Sequence, residues 1–533
     1  IELGKLSLWL NVIHKDMETP FFANRLALGN AVIGAWLKVY SKQDVYGIFD
    51  RRGSTAKVNK WWEKAPHKVK FFSNRVNRSV NEVYHFLLPD ANMLGVRSIK
   101  EQKKAHANED KRMAAMLKDW TAPITDADFK TLQRISAKID VLLKEYLTNQ
   151  LSIDKLTNNR NDIWDGIDHS ASNTLFKAEE QAESYAKKQQ LFDTRYRHDN
   201  AYRKLKLAMD YWCALWFWEY DDAINLPTRQ EYWGDIEALL DVDNSQLDTK
   251  TRQALERAGS NVVSEDMPEY GKMTEDESQI VTKTQEEILT DSHAYVSLFA
   301  DEDPLRLKIA DRLAKRYHFF HPMLEFIEVF WLRDGFDIIC GNPPWIKLEF
   351  DEQGILSEKY PEVAIRKMSA PDVRKMRDKM FEQIPATEEL YRSEEIDTAC
   401  SSKFMSAYCN YPLLVGQQTN LYKCVLENAM DMASENNGYI GLLTPESIYD
   451  DPKGQPLRRE LYKRLRYHFQ YVNTLKLFSE ILHWVTFSTN VIGKRKENAD
   501  FYSINNLYHP STIDGCFVHD GHGLCGGLKT NEG

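Results

Sequence analysis

The sequence predicts an α/β fold, a mostly parallel sheet with helices on both faces, split by a large and mostly α-helical insertion. Three observations predict it. After residue 321, short apolar runs of strand length alternate with helical stretches. Between about 41 and 320, Lys, Glu, Asp, Gln and Asn dominate, Gly and Pro are sparse, and long helical periodicities take over. Before 41, a helix-like segment leads into a short apolar run of the same character as the C-terminal part.

Taken in order, residues 1–13 carry Leu3, Leu6, Leu10 and Ile13 at helical spacing. Residues 21–34 read as a short strand ending at Gly29-Asn30. Stretches 99–118, 126–149 and 174–218 read as helices. Residues 207–220 are dense in aromatics, with Trp212, Trp216, Phe217 and Trp218. They are expected to be the buried face of a helical bundle, with a base-stacking platform as the alternative. Residues 241–290 are polar and acidic and are expected to form a mobile surface segment. Residues 322–331 read as an amphipathic helix or the entry to a strand, and 336–340 as a buried strand. A helix over 421–432 is stopped by Asn436-Asn437-Gly438. A strand over 439–443 ends at Thr444-Pro445, a basic helix covers 457–465, and two more strands cover 467–478 and 487–493. No internal repeat is present. The organisation expected is a core part at 1–40, the helical insertion at 41–320, the second core part at 321–500, and the start of a further region at 501–533.

The chain has 533 residues and a net charge of -10, so it is not a uniformly basic nucleic-acid coat; binding to nucleic acid would need a local basic groove. No apolar run approaches the ~20 residues of a membrane span, and no signal peptide opens the chain. Seven scattered cysteines, an odd number, suggest reduced thiols and a cytoplasmic setting. The chain starts at Ile1 within a helical pattern and stops on an unfinished run, so it is expected to be an internal part of a longer protein.

The chemistry concentrates at Gly341-Asn342-Pro343-Pro344-Trp345, directly after the strand at 336–340. In open α/β sheets, ligands sit beyond the carboxyl ends of strands. Two prolines fix the backbone and remove two N–H donors, so the loop presents carbonyl acceptors and a rigidly placed amide. That suits a weakly nucleophilic exocyclic amine such as that of adenine. Asn342 Oδ1 and the Pro343 carbonyl could each accept one amine N–H, which favours a tetrahedral nitrogen and stabilises the positive charge that develops. Trp345 would stack on the base once it is flipped out of the duplex. The plain alternative is a Pro-Pro turn with a buried Trp. The run Arg458, Arg459, Lys463, Arg464 and Arg466 is locally basic and reads equally as a solvated helix face or as a set of phosphate contacts.

These motifs make the chain similar to the gamma-class adenine-N6 DNA methyltransferases. The kind most resembled is the large enzymes of type IIG restriction–modification and of the BREX and DISARM phage-defence systems. His321-Pro322-Met323-Leu324-Glu325, Gly335-Phe336-Asp337 and Gly341-Asn342-Pro343-Pro344-Trp345 resemble their fourth motif. Thr444-Pro445-Glu446, Asp451-Pro452-Lys453-Gly454 and Leu475-Lys476-Leu477-Phe478 look most like the DISARM adenine methyltransferase. The resemblance covers about 1–40 and 320–510 well and the middle loosely.

The resemblance implies a Rossmann-like sheet that uses S-adenosylmethionine as methyl donor and double-stranded DNA as substrate. It also implies that other subunits of a defence system could be partners. It implies catalytic roles for Asn342, Pro343, Pro344 and Trp345, with Trp345 and Phe478 against the flipped base and Trp484 and Phe487 as nearby rivals of Phe478. Asn30, in place of the family's usual Asp, would hold the donor's adenine ring with Ala31 and Asn342. Gly416-Gln417-Gln418-Thr419-Asn420-Leu421-Tyr422 matches a segment near the donor. Arg458, Arg459 and Lys463 would touch DNA. The family's glycine-rich donor turn and its ribose-binding acid are expected upstream of residue 1, and its target-recognition region after 510. The expected activity is thus that of a site-specific DNA-methyltransferase (adenine-specific). Two other readings stay open: a non-catalytic DNA-binding or assembly subunit, and a protein-glutamine methyltransferase, against which the long insertion counts.

Two further patterns carry less. Gly521-His522-Gly523-Leu524-Cys525-Gly526 fits a nucleotide-loop pattern but neither follows a strand nor opens a helix. Cys516, His519, His522 and Cys525 lack a familiar zinc spacing, so no metal is expected.

Overall fold

The computed structural model describes residues 2–12, 20–49, 56–72, 75–157, 184–197, 200–241, 304–366 and 368–522. The acidic stretch expected at 241–290 lies outside them past its first residue, as does the first part of the helical stretch at 174–218. The chain divides into two compact units. One comprises Ile1–Leu332 and Glu349–Asn410; the other comprises Arg333–Leu348 and Tyr411–Gly533.

The first unit is mostly helical, but after the helix Glu2–Val12 it runs through short strands that the composition did not foretell. β1 (Lys38–Ser41) is followed by β2 (Ile48–Phe49), β3 (Ala56–Lys57), β4 (His67–Lys68), β5 (Lys70–Phe72), β6 (Arg75–Asn77) and β7 (Glu82–Tyr84). β4, β1 and β7 form a three-stranded antiparallel sheet, and β2–β3 and β5–β6 are separate pairs. Strands of two to four residues are too short to show a period-2 pattern, so this part of the expected helical insertion is corrected to β structure.

A second correction concerns 21–34, which forms no strand; its one ladder contact is a parallel bridge between Asn30 and Phe319. Gly34 explains why. A Cβ there would lie 1.5 Å from the Phe320 carbonyl oxygen, so the chain is pressed backbone to backbone rather than paired as a pleat. The contact is locked from the side by His321, which is fully buried. Its Nδ1 accepts from the Ala35 N–H at 2.9 Å, so the proton sits on Nε2, which donates to Asp210 at 3.0 Å. Burial pushes the imidazolium down, in keeping with a neutral ring.

The helices Lys100–Ala105, Ala107–Trp120, Asp126–Thr157, Ala201–Ala214, Arg229–Leu240 and Leu305–Tyr317 build the body of this unit. The expected 99–118 helix breaks at His106, which caps the first piece with φ -111°. The aromatic run at 207–220 is the core: Trp212, Trp216, Phe217 and Trp218 are all buried. Burying an indole costs its N–H a water partner unless a carbonyl replaces it. Trp218 Nε1 donates to Asp222 O at 2.9 Å and Trp216 Nε1 is left without a partner among the described residues, while a spine at 86–89 supplies four further carbonyls. Tyr232 bonds to Phe86 O (2.7 Å), Trp233 to Leu87 O (2.8 Å), Trp212 to Leu88 O (3.0 Å) and Trp61 to Pro89 O (3.1 Å). Sequence pattern assigns nothing between 346 and 415. There the first unit gains Glu352–Lys359, Ala370–Gln383 and Pro385–Ser406, the last two with proline in the first turn.

The second unit is a five-stranded sheet in the order β12-β10-β11-β9-β8. β8 is Ile338–Gly341, β9 Tyr439–Pro445, β10 Leu465–Val472, β11 Thr486–Ile492 and β12 Tyr502–Leu507. β8 and β9 are parallel, β9 and β11 antiparallel, β11 and β10 antiparallel, and β10 and β12 parallel. β8, β9, β10 and β12 therefore run in one direction and β11 alone runs against them, so the sheet is mostly parallel, as expected, with one reversed strand. Apolar runs give strand existence but not strand direction, which is decided by non-local pairing. Among the described residues β8 pairs with β9 alone, and Ile338 is 74% exposed, where a buried strand was expected. The strand expected at 467–478 stops at Val472, and its remainder is a loop. Helices Leu421–Met432, Gln455–Arg464 and Ser511–Val518 flank the sheet. Among the described residues no helix is long and apolar enough to cross a membrane.

Candidate active site

A cavity of about 590 Å³ opens at the carboxyl ends of β8, β9 and β10 in the second unit. Four sequence segments line it. The loop after β8 gives Asn342, Pro343, Pro344, Trp345 and Lys347. The start of the 421–432 helix gives Asn420 and Tyr422. The end of β9 and the turn after it give Pro445 and Ser447. The β10–β11 connection gives Phe478, Glu480, Ile481, Leu482 and Val485. Strand ends of a sheet are where side chains from distant sequence converge on one ligand.

The loop is held at both ends. Phe336 bridges to Ala433 before the strand, and Lys347 bridges to Asn420 after it. Leu348 N–H donates to Thr419 O at 3.1 Å and Leu421 N–H to Ile346 O at 3.0 Å. Pro343 is buried, whereas Asn342 and Pro344 are exposed. Asn342's carboxamide makes no hydrogen bond among the described residues, so its donor and acceptor are free for a ligand in the cavity it lines.

The aromatics differ from those of the first unit. Trp345 is half-buried and packs on a cluster of Phe469, Tyr471, Phe487, Leu507 and Ile513. Its ring centroid lies 5.4 Å from Phe478 and 5.7 Å from Phe487, and Nε1 points to Leu443 O at 3.4 Å. Phe478 stands edge-on to Phe487 at 5.0 Å. One side of this group rests on the sheet and the other is open to the cavity. Of the two rivals for Phe478, Phe487 is buried beneath it, and Trp484 is 62% exposed and does not line the cavity.

A polar network lies under Pro445. Glu446 is buried, accepts from Gln470 Nε2 at 3.2 Å and pairs with His468 at 3.1 Å. Burial would raise its pKa, but His468 and its other hydrogen-bond partners more than offset this and hold the carboxyl below its usual range. Tyr422 and Ser447 share a hydroxyl–hydroxyl bond of 2.9 Å on the cavity wall.

The other expected site residues lie elsewhere. Asn30 and Ala31 belong to the first unit. Asn30 Oδ1 accepts its own turn's Val32 N–H at 3.2 Å. Arg458, Arg459 and Lys463 sit on the Gln455–Arg464 helix and do not line the cavity. Arg458 Nη1 bonds to Asp451 O. Asp451 also pairs with the buried Lys423 at 2.5 Å. Arg458 thus clamps a loop, while the side chains of Arg459 and Lys463 make no bond among the described residues. Cys525 and residues 523–526 lie outside the described residues, and no group of three metal-ligating side chains occurs among those described. Lys347, Ser447, Glu480, Ile481, Leu482 and Val485 are lining residues that sequence reading did not single out. Their common signal, adjacency to a strand end, becomes visible only once the strands are placed.

Compared with known proteins, the chain matches the model of the Eco57I restriction-modification methylases over residues 1–370, which is more than half its length and includes Asn342 to Trp345. This defines its class, a DNA methyltransferase of the restriction–modification type. The chain belongs to the Eco57I restriction-modification methylase family. A search among curated proteins returns no match.

Proposed function

We propose that the chain methylates the N6 amino group of adenine in double-stranded DNA, with S-adenosylmethionine as the methyl donor. The observation that carries this reading is Asn342, which places an unbonded carboxamide in a cavity also lined by Trp345 and Phe478. The donor would supply an electrophilic methyl group. The chain's own part is to present the amine. Asn342 Oδ1 and the Pro343 carbonyl accept its two N–H hydrogens, which draws the nitrogen lone pair out of conjugation with the ring. Trp345 and Phe478 hold the extruded base by stacking and edge contact, and the apolar Ile481, Leu482 and Val485 limit water around it. Asn30 and Ala31 are assigned to the donor's adenine ring. Asn30 Nδ2 has no partner among the described residues, which suits an acceptor nitrogen of that ring. Arg459 and Lys463 are assigned to DNA phosphates. The proposed setting is a phage-defence system of the DISARM kind within restriction–modification.

The test is direct. Unmodified duplex DNA is incubated with the protein and donor labelled in its methyl group, then digested to nucleosides and separated. Label in N6-methyldeoxyadenosine supports the proposal. Label in methylated cytosine, in added protein, or in nothing would overturn it.

A further inference from the structure

The β10–β11 connection is long for two antiparallel neighbours, and it forms one wall of the cavity. A hairpin loop usually takes two to five residues. Here residues 473–485 leave the sheet and return, carrying Phe478, Ile481, Leu482 and Val485 into the cavity lining. Such a loop needs something inside to hold its shape, because its own backbone pairs with no strand.

Asn473 does this. It is fully buried, and every polar atom it has is bonded within the loop. Its Nδ2 donates to Phe478 O at 2.9 Å and to Ile481 O at 2.9 Å. Its Oδ1 accepts from the Phe478 N–H at 3.1 Å. Its backbone N–H donates to Val485 O at 3.1 Å, and its carbonyl accepts from Lys476 N–H at 2.8 Å. A carboxamide suits this task because it has two donors and an acceptor on a short, planar group. No hydroxyl, acid or amine offers both in that shape. Both main-chain polar atoms of Phe478 are thereby fixed from one side chain. The ring is thus held edge-on to Trp345 and Phe487.

We infer that Asn473 is a positioning residue that sets Phe478 as the second wall of the target-base pocket before DNA arrives. This rests on the reading of the cavity as a base pocket. Asn473 touches no reacting atom and acts only through the loop.

Two variants test it. Asn473→Asp keeps the size and the acceptor for the Phe478 N–H, but turns a carboxylate oxygen toward two carbonyls. Asn473→Ala removes all three side-chain bonds. Three readouts are taken: kcat and KM on unmodified plasmid DNA, KM for the donor, and amide hydrogen exchange over 473–485. Each variant should lower kcat/KM for DNA by ~10-fold, the scale of losing one aromatic wall, and leave donor KM unchanged. Exchange should rise at 478–485 and not in the strands. The Asn473→Ala/Phe478→Ala double variant should be no worse than Phe478→Ala alone, because both remove the same wall.

Additive losses, a parallel fall in donor affinity, or unchanged exchange would overturn the inference. If neither variant folds, as read by loss of the cooperative melt, Asn473 is a general fold residue and the inference fails. If the natural chain has no methyl-transfer activity, the pocket reading fails on its own, while local exchange still reports on whether Asn473 holds the loop.

Discussion

Two groups of aromatic side chains serve this chain in different ways, and they differ both in burial and in how their hydrogen bonds are met. In the first unit Trp61, Trp212 and Trp233 are sealed, and each indole N–H is matched to a carbonyl of the 86–89 spine. In the second unit Trp345 is half-buried, its N–H reaches Leu443 O only at 3.4 Å, and the lining beside it includes the unbonded Asn342. In these three indoles a closed hydrogen-bond account goes with a place in the core, although Trp216 Nε1 in the same core is left without a partner among the described residues. An open account at the end of a sheet marks side chains kept for a ligand.

Substitutions separate the two groups. Trp212→Ala should be the most damaging change, at about 3–5 kcal/mol of stability, because it empties a sealed core and orphans Leu88 O. Chemical denaturation measures it, and a loss under 1 kcal/mol would mean that the core is not closed. Asn342→Ala should leave the melt unchanged and lower turnover by at least ~100-fold, with DNA affinity retained, as for removal of one preorganised catalytic contact. Single-turnover methylation and a DNA-binding titration separate the two effects. Trp345→Ala should weaken base capture by about 1–3 kcal/mol, read with a fluorescent adenine analogue at the target, while costing less stability than Trp212→Ala.

A buried carboxyl in the first unit gives a pH signature that the pocket should lack. Burial, helped by the nearby Asp154, pushes Glu328 up to about 8 from an ordinary value of 4.5. A raised carboxyl favours the folded state while it is protonated. Its contribution is complete below about 4.5 and is lost as pH rises through about 8. Thermal melts should fall across that window, and Glu328→Gln should flatten the fall. The smallest effect is expected at the basic helix. Arg459→Ala should lower DNA affinity modestly for all sequences and reduce the slope of log affinity against log salt by about 1.

The loop from Asn342 to Trp345 was legible in the sequence because its signal is local: an apolar strand, then an amide and two prolines that forbid the strand's continuation. The burial of Trp212, Trp216 and Trp218 was expected, but only Trp212 lies on a helix: the one expected to reach 218 ends at Ala214, and Trp216 and Trp218 are sealed in the turn after it. What escaped was non-local. β10 and β11 are antiparallel because of partners chosen across the sheet, which no run of residues specifies. The run at 21–34 looked like a strand until Gly34 met the carbonyl of Phe320, nearly three hundred positions away. Phe478 was found by its motif but placed in a strand rather than a loop. Asn473 went unnoticed because a lone Asn carries no pattern, and its partners lie five and eight residues on, in a loop of irregular shape.

The open carboxamide of Asn342 carries the proposal that this chain is an adenine-N6 methyltransferase. It is tested most directly by methylation-aware sequencing of DNA from cells that express the natural full-length protein, beside cells that express its Asn342→Ala form. The account predicts N6-methyladenine at one recurring sequence in the first and its absence in the second, with both proteins present in equal amounts. Methylation that persists in the Asn342→Ala cells, or that falls on cytosine in either, would contradict it.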